Sequence, residues 1–480
     1  MTGRVAGLVR PQVPRTGAVS LIVVLAAALA VGALTTVQPV YAVAIVVAAA
    51  VSLIVAANVR ALPLFLVFTM FVESLELGPG LRIGRLAGVM ALAVLAYYVL
   101  VRGRAGLRPN ALLAVAGALG FWMLLSTYWS TDSSLVYQTM FSYLLAISYL
   151  LAFAVLVRTA DQLVAIFAVF AIGSLVFGLV SFATYAASSG AARAQGLQGD
   201  PNYFAVYQVI ALPAALALSA RERRPQRRLL YYVVVGVIIL SVVSSLSRTG
   251  LIALAGVVSL TLLLPWRVFF RNAGQKLSYA LALVVASTAA VIVGSTDFVA
   301  RVQSILDPQS DATSGYRGSG RLDLWAAAVN GWHDSPWLGL GAGNFQSAAL
   351  DLLQTTPGVN TTAGYIRANR VVHNAYLEVL TELGPVGLTL YVALLGITAW
   401  FLLAAFKRAR AVNEEIISRF SLALLVSLFG YALSAIFLSN QLGKPLWIIV
   451  GLALAVDVMS RRSATAAVVR RETARTAAGV

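Results

Sequence analysis

The sequence contains no cysteine and only two histidines, His333 and His373. Without thiols there is no disulfide, no thiolate metal centre and no cysteine nucleophile. Two histidines nearly exclude a multi-histidine metal site as well. Charge is scarce too. Only 11% of the 480 residues are charged, against roughly 25% in an average soluble protein. Acids are the scarcer sign, with 18 Asp and Glu against 35 Lys and Arg, a formal net charge of +17. What fills the chain instead is apolar: 60% of 480 residues, about 288. A soluble globule could not hide that surface, because soluble cores stop growing near roughly 250–300 residues. Disorder is excluded by the same hydrophobicity. The class left is an all-α, polytopic helical membrane protein. At about 20 residues per span, 288 apolar residues fill at most about fourteen spans.

In a soluble protein an excess of bases suggests nucleic acid. Here cytoplasmic loops that hold the topology explain it better, so no nucleic-acid partner is expected and the bilayer is. Arg4, Arg10 and Arg15 precede an apolar run over 18–37, which resembles a signal peptide but is long enough to span. Further runs fall at 41–57, 61–77, 86–101, 110–127, 135–157, 162–185, 202–220, 229–246, 250–265 and 277–296, then at 385–406, 418–438 and 443–459. Starting inside and alternating places 25 of the 35 bases inside and both termini in the cytoplasm. The expected organisation is membrane helices over 1–296, a large extracytoplasmic loop over 297–372, membrane helices over 373–460, and an unstructured basic cytoplasmic tail over 461–480. The two helical regions form one integral domain. In the loop, 307–320 reads as mobile. Residues 321–333 place Leu322, Leu324, Trp325, Ala328 and Val329 at helical spacing, so a short amphipathic helix is expected there.

Four places carry polar groups at the expected outer face. His373 begins the segment His373-Asn374-Ala375-Tyr376-Leu377-Glu378 and precedes Glu382, Gly384 and Gly387. Histidine titrates near neutral pH and can act as a general base; equally, this one can simply order the loop, and spacing does not separate the two. Arg248, in Ser247-Arg248-Thr249-Gly250, runs against the positive-inside trend. A guanidinium there either grips phosphate by paired hydrogen bonds or snorkels to headgroups. Arg321 starts the loop helix, whose N-terminus favours anions; taken alone it reads as a surface charge or a local pair with Asp323. Asp200-Pro201-Asn202 reads first as a helix cap. The glycines of Pro336–Phe345 allow close backbone approach, but no Walker lysine follows them.

Together these segments resemble the O-antigen ligase and polysaccharide polymerase family of bacterial membrane proteins. His373-Asn374 with Glu382, Gly384 and Gly387 is similar to the family's His-Asn, Glu-x-Gly-x-x-Gly signature. The Pro336–Phe345 stretch resembles its Pro-x-x-Gly-x-Gly segment, preceded by Arg321 and Trp325. Asp200-Pro201-Asn202 and Ser247-Arg248 match earlier family positions. The strong part covers about 320–390.

The resemblance implies a glycosyltransferase on the outer face of the cytoplasmic membrane. It would move a glycan from an undecaprenyl-diphosphate carrier to a hydroxyl on a glycan, lipid or protein acceptor, with no metal or other cofactor. A twelve-helix core is typical of the family, so either two N-terminal helices are extra or half-helices are counted as spans. In this scheme His373 is the base, Arg248 and Arg321 bind pyrophosphate, and Asn374, Tyr376, Glu378, Glu382, Asp200 and Asn202 support them. The alternative is a flippase for a lipid-linked saccharide. It would need charges inside the spans, where the sequence offers little beyond Glu73, Glu76 and Asp457 near span ends. A third reading is a non-catalytic scaffold whose loop binds glycan.

Overall fold

A computed structural model describes residues 58–78, 81–102, 108–188, 193–264, 266–293, 320–359 and 370–477. The expected spans at 18–37 and 41–57, and residues 307–319, lie outside these. The chain is a helical multi-pass membrane protein. Among the described residues eight helices are long and apolar enough to cross a membrane, and Val59–Met70 and Arg248–Leu263 are shorter apolar helical stretches.

In order come α1 (Leu62–Met70), a hairpin of β1 (Glu76–Gly78) and β2 (Leu81–Arg82), then α2 (Ile83–Arg102), α3 (Ala111–Leu125), α4 (Ser133–Leu156) and α5 (Ala160–Ala187). Next are α6 (Pro201–Arg221), α7 (Pro225–Ser244), α8 (Arg248–Leu263), α9 (Trp266–Phe269) and α10 (Ala273–Val293). The long loop carries α11 (Arg321–Asp334) and α12 (Phe345–Thr355). The chain closes with α13 (Ala375–Ala411), α14 (Glu415–Ser434) and α15 (Lys444–Ala477).

Helices start where short polar side chains can take the first free N–H groups. Asn110 Oδ1 accepts from Leu112 and Leu113, both at 3.1 Å. Thr159 and Gln162 form a reciprocal capping box ahead of α5. Asp200 caps α6, Ser247 caps α8 and Asn374 caps α13. Two expectations change. The run 61–77 is a nine-residue helix followed by a turn and the hairpin, because Glu73, Glu76 and the glycines from Gly78 on end the apolar stretch. The tail beyond 460 is helix as far as Ala477, continuous with α15. It holds no proline or glycine before Gly479 and is rich in Ala and Arg, which are strong helix formers.

The core is built around α6, which is buried almost throughout and packs against α5, α7, α8 and α14. Pro213 removes one N–H from its interior. Ser427 of α14 donates to the Ile210 carbonyl at 2.7 Å, one residue on from the Val209 carbonyl that Pro213 leaves without its helical donor. α15 packs on α4 and α13, with Trp447 fully buried edge-on to Tyr143. At the end remote from the loop, bases collect: Arg221, Arg224, Arg227 and Arg419 line one recess, and Arg267 and Arg410 line the next. There Asp457 holds both Arg408 and Arg461.

At the loop end one feature fixes the rest. α13 breaks at Gly384 (φ 65°, ψ −171°), and Pro385 brings no N–H to the Thr381 carbonyl. The segment 336–345 fills the gap. Leu340 N–H donates to Thr381 O at 2.9 Å and Gly341 N–H to Glu382 O at 2.8 Å. Trp122 Nε1 of α3 donates to Leu383 O at 2.8 Å. Glycine is required for this approach. A Cβ on Gly339 (φ 73°) would sit 2.5 Å from the Glu382 carbonyl carbon.

Gly339→Ala should therefore destabilise the protein by at least about 1–3 kcal/mol, the usual cost of forcing a strained backbone conformation. Gly236→Ala, on an exposed face of α7 with nothing within 4 Å of the added Cβ, should not. Thermal unfolding in detergent compares the two, and equal midpoints would refute the close packing.

Candidate active site

Four helices begin at one place on the loop end: α6, α8, α11 and α13. Helix N-termini carry unpaired N–H groups and partial positive charge, so their convergence favours an anion. The termini are linked directly. Asp200 Oδ1 accepts from Asn202 N–H at 2.7 Å and Tyr203 N–H at 3.1 Å. Ser247 Oγ accepts from Gly250 N–H at 3.1 Å and donates to Asn202 Oδ1 at 2.8 Å. Arg321 Nη1 donates to Thr249 Oγ1 at 3.3 Å, which ties the loop helix to the start of α8. Arg248 is the first residue of α8, half-buried beside that contact.

His373 stands just before α13 with φ 56°, a left-handed conformation uncommon outside glycine. Its N–H donates to Ser439 Oγ at 3.0 Å. The Ser439 hydroxyl in turn donates to Glu378, whose carboxylate also accepts from Val372 N–H at 3.1 Å and Gln441 Nε2 at 2.7 Å. Glu378 thus holds Val372 directly, and His373 through Ser439, to the α14–α15 turn. Burial pushes the imidazole pKa down to about 4, Arg321 and Arg370 push the same way, and Asp200 opposes them. The ring is therefore neutral at pH 7 and able to accept a proton.

The other expected residues divide by task. Asn374 caps α13, accepting from Leu377 N–H at 3.0 Å. Tyr376 points into the bundle, donating to Ala432 O at 2.9 Å beside the Tyr391 ring. Glu382 accepts from Phe345 N–H at 3.2 Å, which secures the start of α12. The glycine run after Pro336 is packed on α13 and is no phosphate cradle. His333 lies exposed near the end of α11, away from this cluster. Among the described residues no three His, Asp or Glu side chains gather in a metal-binding group.

Sequence reasoning missed several partners. Arg193 reaches the Ser245 carbonyl at 2.8 Å and Leu246 O at 3.3 Å, closing the turn before Arg248. Its signal was the one used for Arg248, a base on the expected outer side. Ser439 and Gln441 were legible only as a polar triplet, Ser439-Asn440-Gln441, between two apolar runs. Arg370 sits three residues before His373.

A helical membrane bundle with a long loop whose motifs lock onto a broken helix defines a class before any comparison. Residues 233–392 match the family model described as O-antigen ligase, Wzy_C. That third of the chain therefore carries a Wzy_C O-antigen ligase domain, a domain family that implies a transferase. No curated protein matches it. The match covers α13 through its break, His373, Arg248 and Arg321.

With only two histidines, selective isotope labelling and NMR can follow His373 alone once His333 is substituted. Its titration midpoint should fall near 4. Arg321→Gln should raise it, because a positive neighbour disfavours the imidazolium. A wild-type midpoint at the ordinary histidine value of about 6.5 would contradict the buried, cationic setting.

Proposed function

We propose that the protein transfers a glycan from an undecaprenyl-diphosphate carrier to an acceptor hydroxyl at the extracytoplasmic face of the cytoplasmic membrane. It is a polysaccharide polymerase or an O-antigen ligase, inverting and independent of metal. One observation carries the reading: His373, Arg321 and the Ser247–Thr249 turn bearing Arg248 meet where four helices begin. The orientation rests on the bases at the opposite end, which the positive-inside rule keeps in the cytoplasm.

The chemistry follows from what the site holds. The sugar–diphosphate bond breaks with its electron pair moving to the diphosphate oxygen. That developing charge needs fixed donors, and Arg248, Arg321 and the helix N-termini provide them without an ion. The acceptor oxygen attacks the anomeric carbon from the opposite side as its proton passes to neutral His373. One displacement inverts the centre, and no protein nucleophile is required, in keeping with a cysteine-free chain. Glu378 and Ser439 keep His373 in place, and Asp200 is the nearby negative charge that favours the imidazolium once formed. A carrier embedded in lipid explains a site at the bundle's rim.

His373→Ala should lower transfer by about 10²–10⁴-fold, the usual range for a general base, in protein that still folds. Arg248→Lys and Arg321→Lys should each cost on the order of 10²–10³ if a point charge cannot replace the planar fork. The assay is transfer from purified lipid-linked repeat, with and without a chelator. Retained activity in His373→Ala removes the base, and wild-type rates in both lysine variants remove the clamp. Loss on chelation contradicts metal independence.

A further inference from the structure

On the same end of the bundle a second cavity, about 360 Å³, opens beside the hairpin. This lies within the roughly 300–1,000 Å³ of small-molecule sites. Its walls include Glu73, Arg82, Arg85, Asn440, Gln441 and Lys444. The wall carries three bases and one acid, with Glu76 against Arg82 beside it. Lys444 pairs with Glu73, which also accepts from Tyr207. Arg82 pairs with Glu76 across the hairpin at 2.8 Å, but both side chains are about half exposed (54% and 52%). Such a pair yields readily to a better anion.

A second observation concerns acceptors. Asn440 Oδ1 and Gln441 Oε1 are buried without a hydrogen-bond partner, and Asn440 is only 3% exposed. Buried amide oxygens call for donors. The phosphate of a diester or a fatty-acid carboxylate brings none of its own. A sugar acid brings both, hydroxyl donors for the amides and an anion for the arginines. The cavity also touches the site already described. Ser439 and Gln441 line it, and both donate to Glu378; Ser439 Oγ also accepts the His373 N–H. Tyr203 and Tyr207 contribute ring walls, their hydroxyls being committed to Ser439 O and Glu73.

We propose that this cavity is the acceptor subsite, and that it selects an acidic saccharide, one bearing a carboxylate on the sugar next to the reacting hydroxyl. The proposal rests on the glycosyl-transfer reading. It places the donor diphosphate at Arg248 and Arg321 and the acceptor sugar on the other side of the Ser439–Glu378 support.

The test is calorimetry on the full chain in phosphatidylcholine nanodiscs. The probes are a galacturonic-acid trisaccharide, the same trisaccharide with its carboxylates methyl-esterified, and undecaprenyl diphosphate. The acid should bind at least tenfold more tightly than its ester. Arg82→Gln with Arg85→Gln should erase that preference and leave undecaprenyl-diphosphate affinity unchanged. Arg82→Gln alone, a half-exposed site, should lose at least threefold and serves if the double variant does not fold. Equal affinities, no uptake of either trisaccharide, or a preference that survives the variants overturns the subsite. So does arginine-dependent binding of glycerophosphoglycerol, the phosphatidylglycerol headgroup, added as a fourth probe, which would mark a headgroup pocket. Absence of undecaprenyl-diphosphate binding by the wild type would instead strike the underlying reading.

Discussion

An apolar bundle offers no water to a carbonyl that loses its helical partner, so every break in a spanning helix must be answered by another part of the chain. The break in α13 at Gly384-Pro385 sets this demand on three consecutive carbonyls, and the loop and α3 answer it. Much of the loop-end geometry follows. Once 336–345 is seated on α13, Asn344 is held against Asp132, accepting its N–H at 2.9 Å. α12 then starts from the Glu382 carboxylate. α11 packs on α13, with Thr381 donating to its Ala328 carbonyl at 2.9 Å. Arg321 is thereby delivered to the start of α8. The signature that looks like a catalytic motif is in large part the device that brings the chemistry together.

The site itself is economical in charge. Helix termini, arginines and one buried imidazole lie together, and the same cations that suit a diphosphate keep the imidazole unprotonated. In the transfer we propose, a stabilised leaving group and a free base would both come from this one arrangement. Glu378 has a different task. It sits within a hydrogen-bond network that fixes the backbone around His373.

The apolar runs were legible because lipid imposes a length on them, and the caps Asp200, Ser247 and Asn374 were legible because free N–H groups select short polar side chains. The helix at 321 followed from its periodicity. The run at 61–77 misled because hydropathy does not register the turn over 71–74, which holds Glu73, or the hairpin that follows. The tail misled because a basic composition was taken for disorder, although nothing in it breaks a helix before Gly479. At the site, His373, Arg248 and Arg321 stood out as exceptions to composition. Ser439, Gln441 and Thr249 did not, since a lone hydroxyl or amide acquires meaning only through a contact distant in sequence. The glycine run could not be told from a ligand loop, because both need positive φ and close approach, and only the partner distinguishes them.

The seating of 336–345 on the broken helix has a consequence for recombination between relatives. The register between Leu340 and Thr381, and between Gly341 and Glu382, admits no slippage. A chimaera that exchanges the loop but keeps its own α13 inherits two halves of a joint cut from different templates. Crossovers that leave 336–345 and 381–385 from one parent keep the joint whole. Diversity can then accumulate at exposed positions of α12 such as Ser347, Asp351 and Gln354, where a new recognition surface can be tried without disturbing the joint.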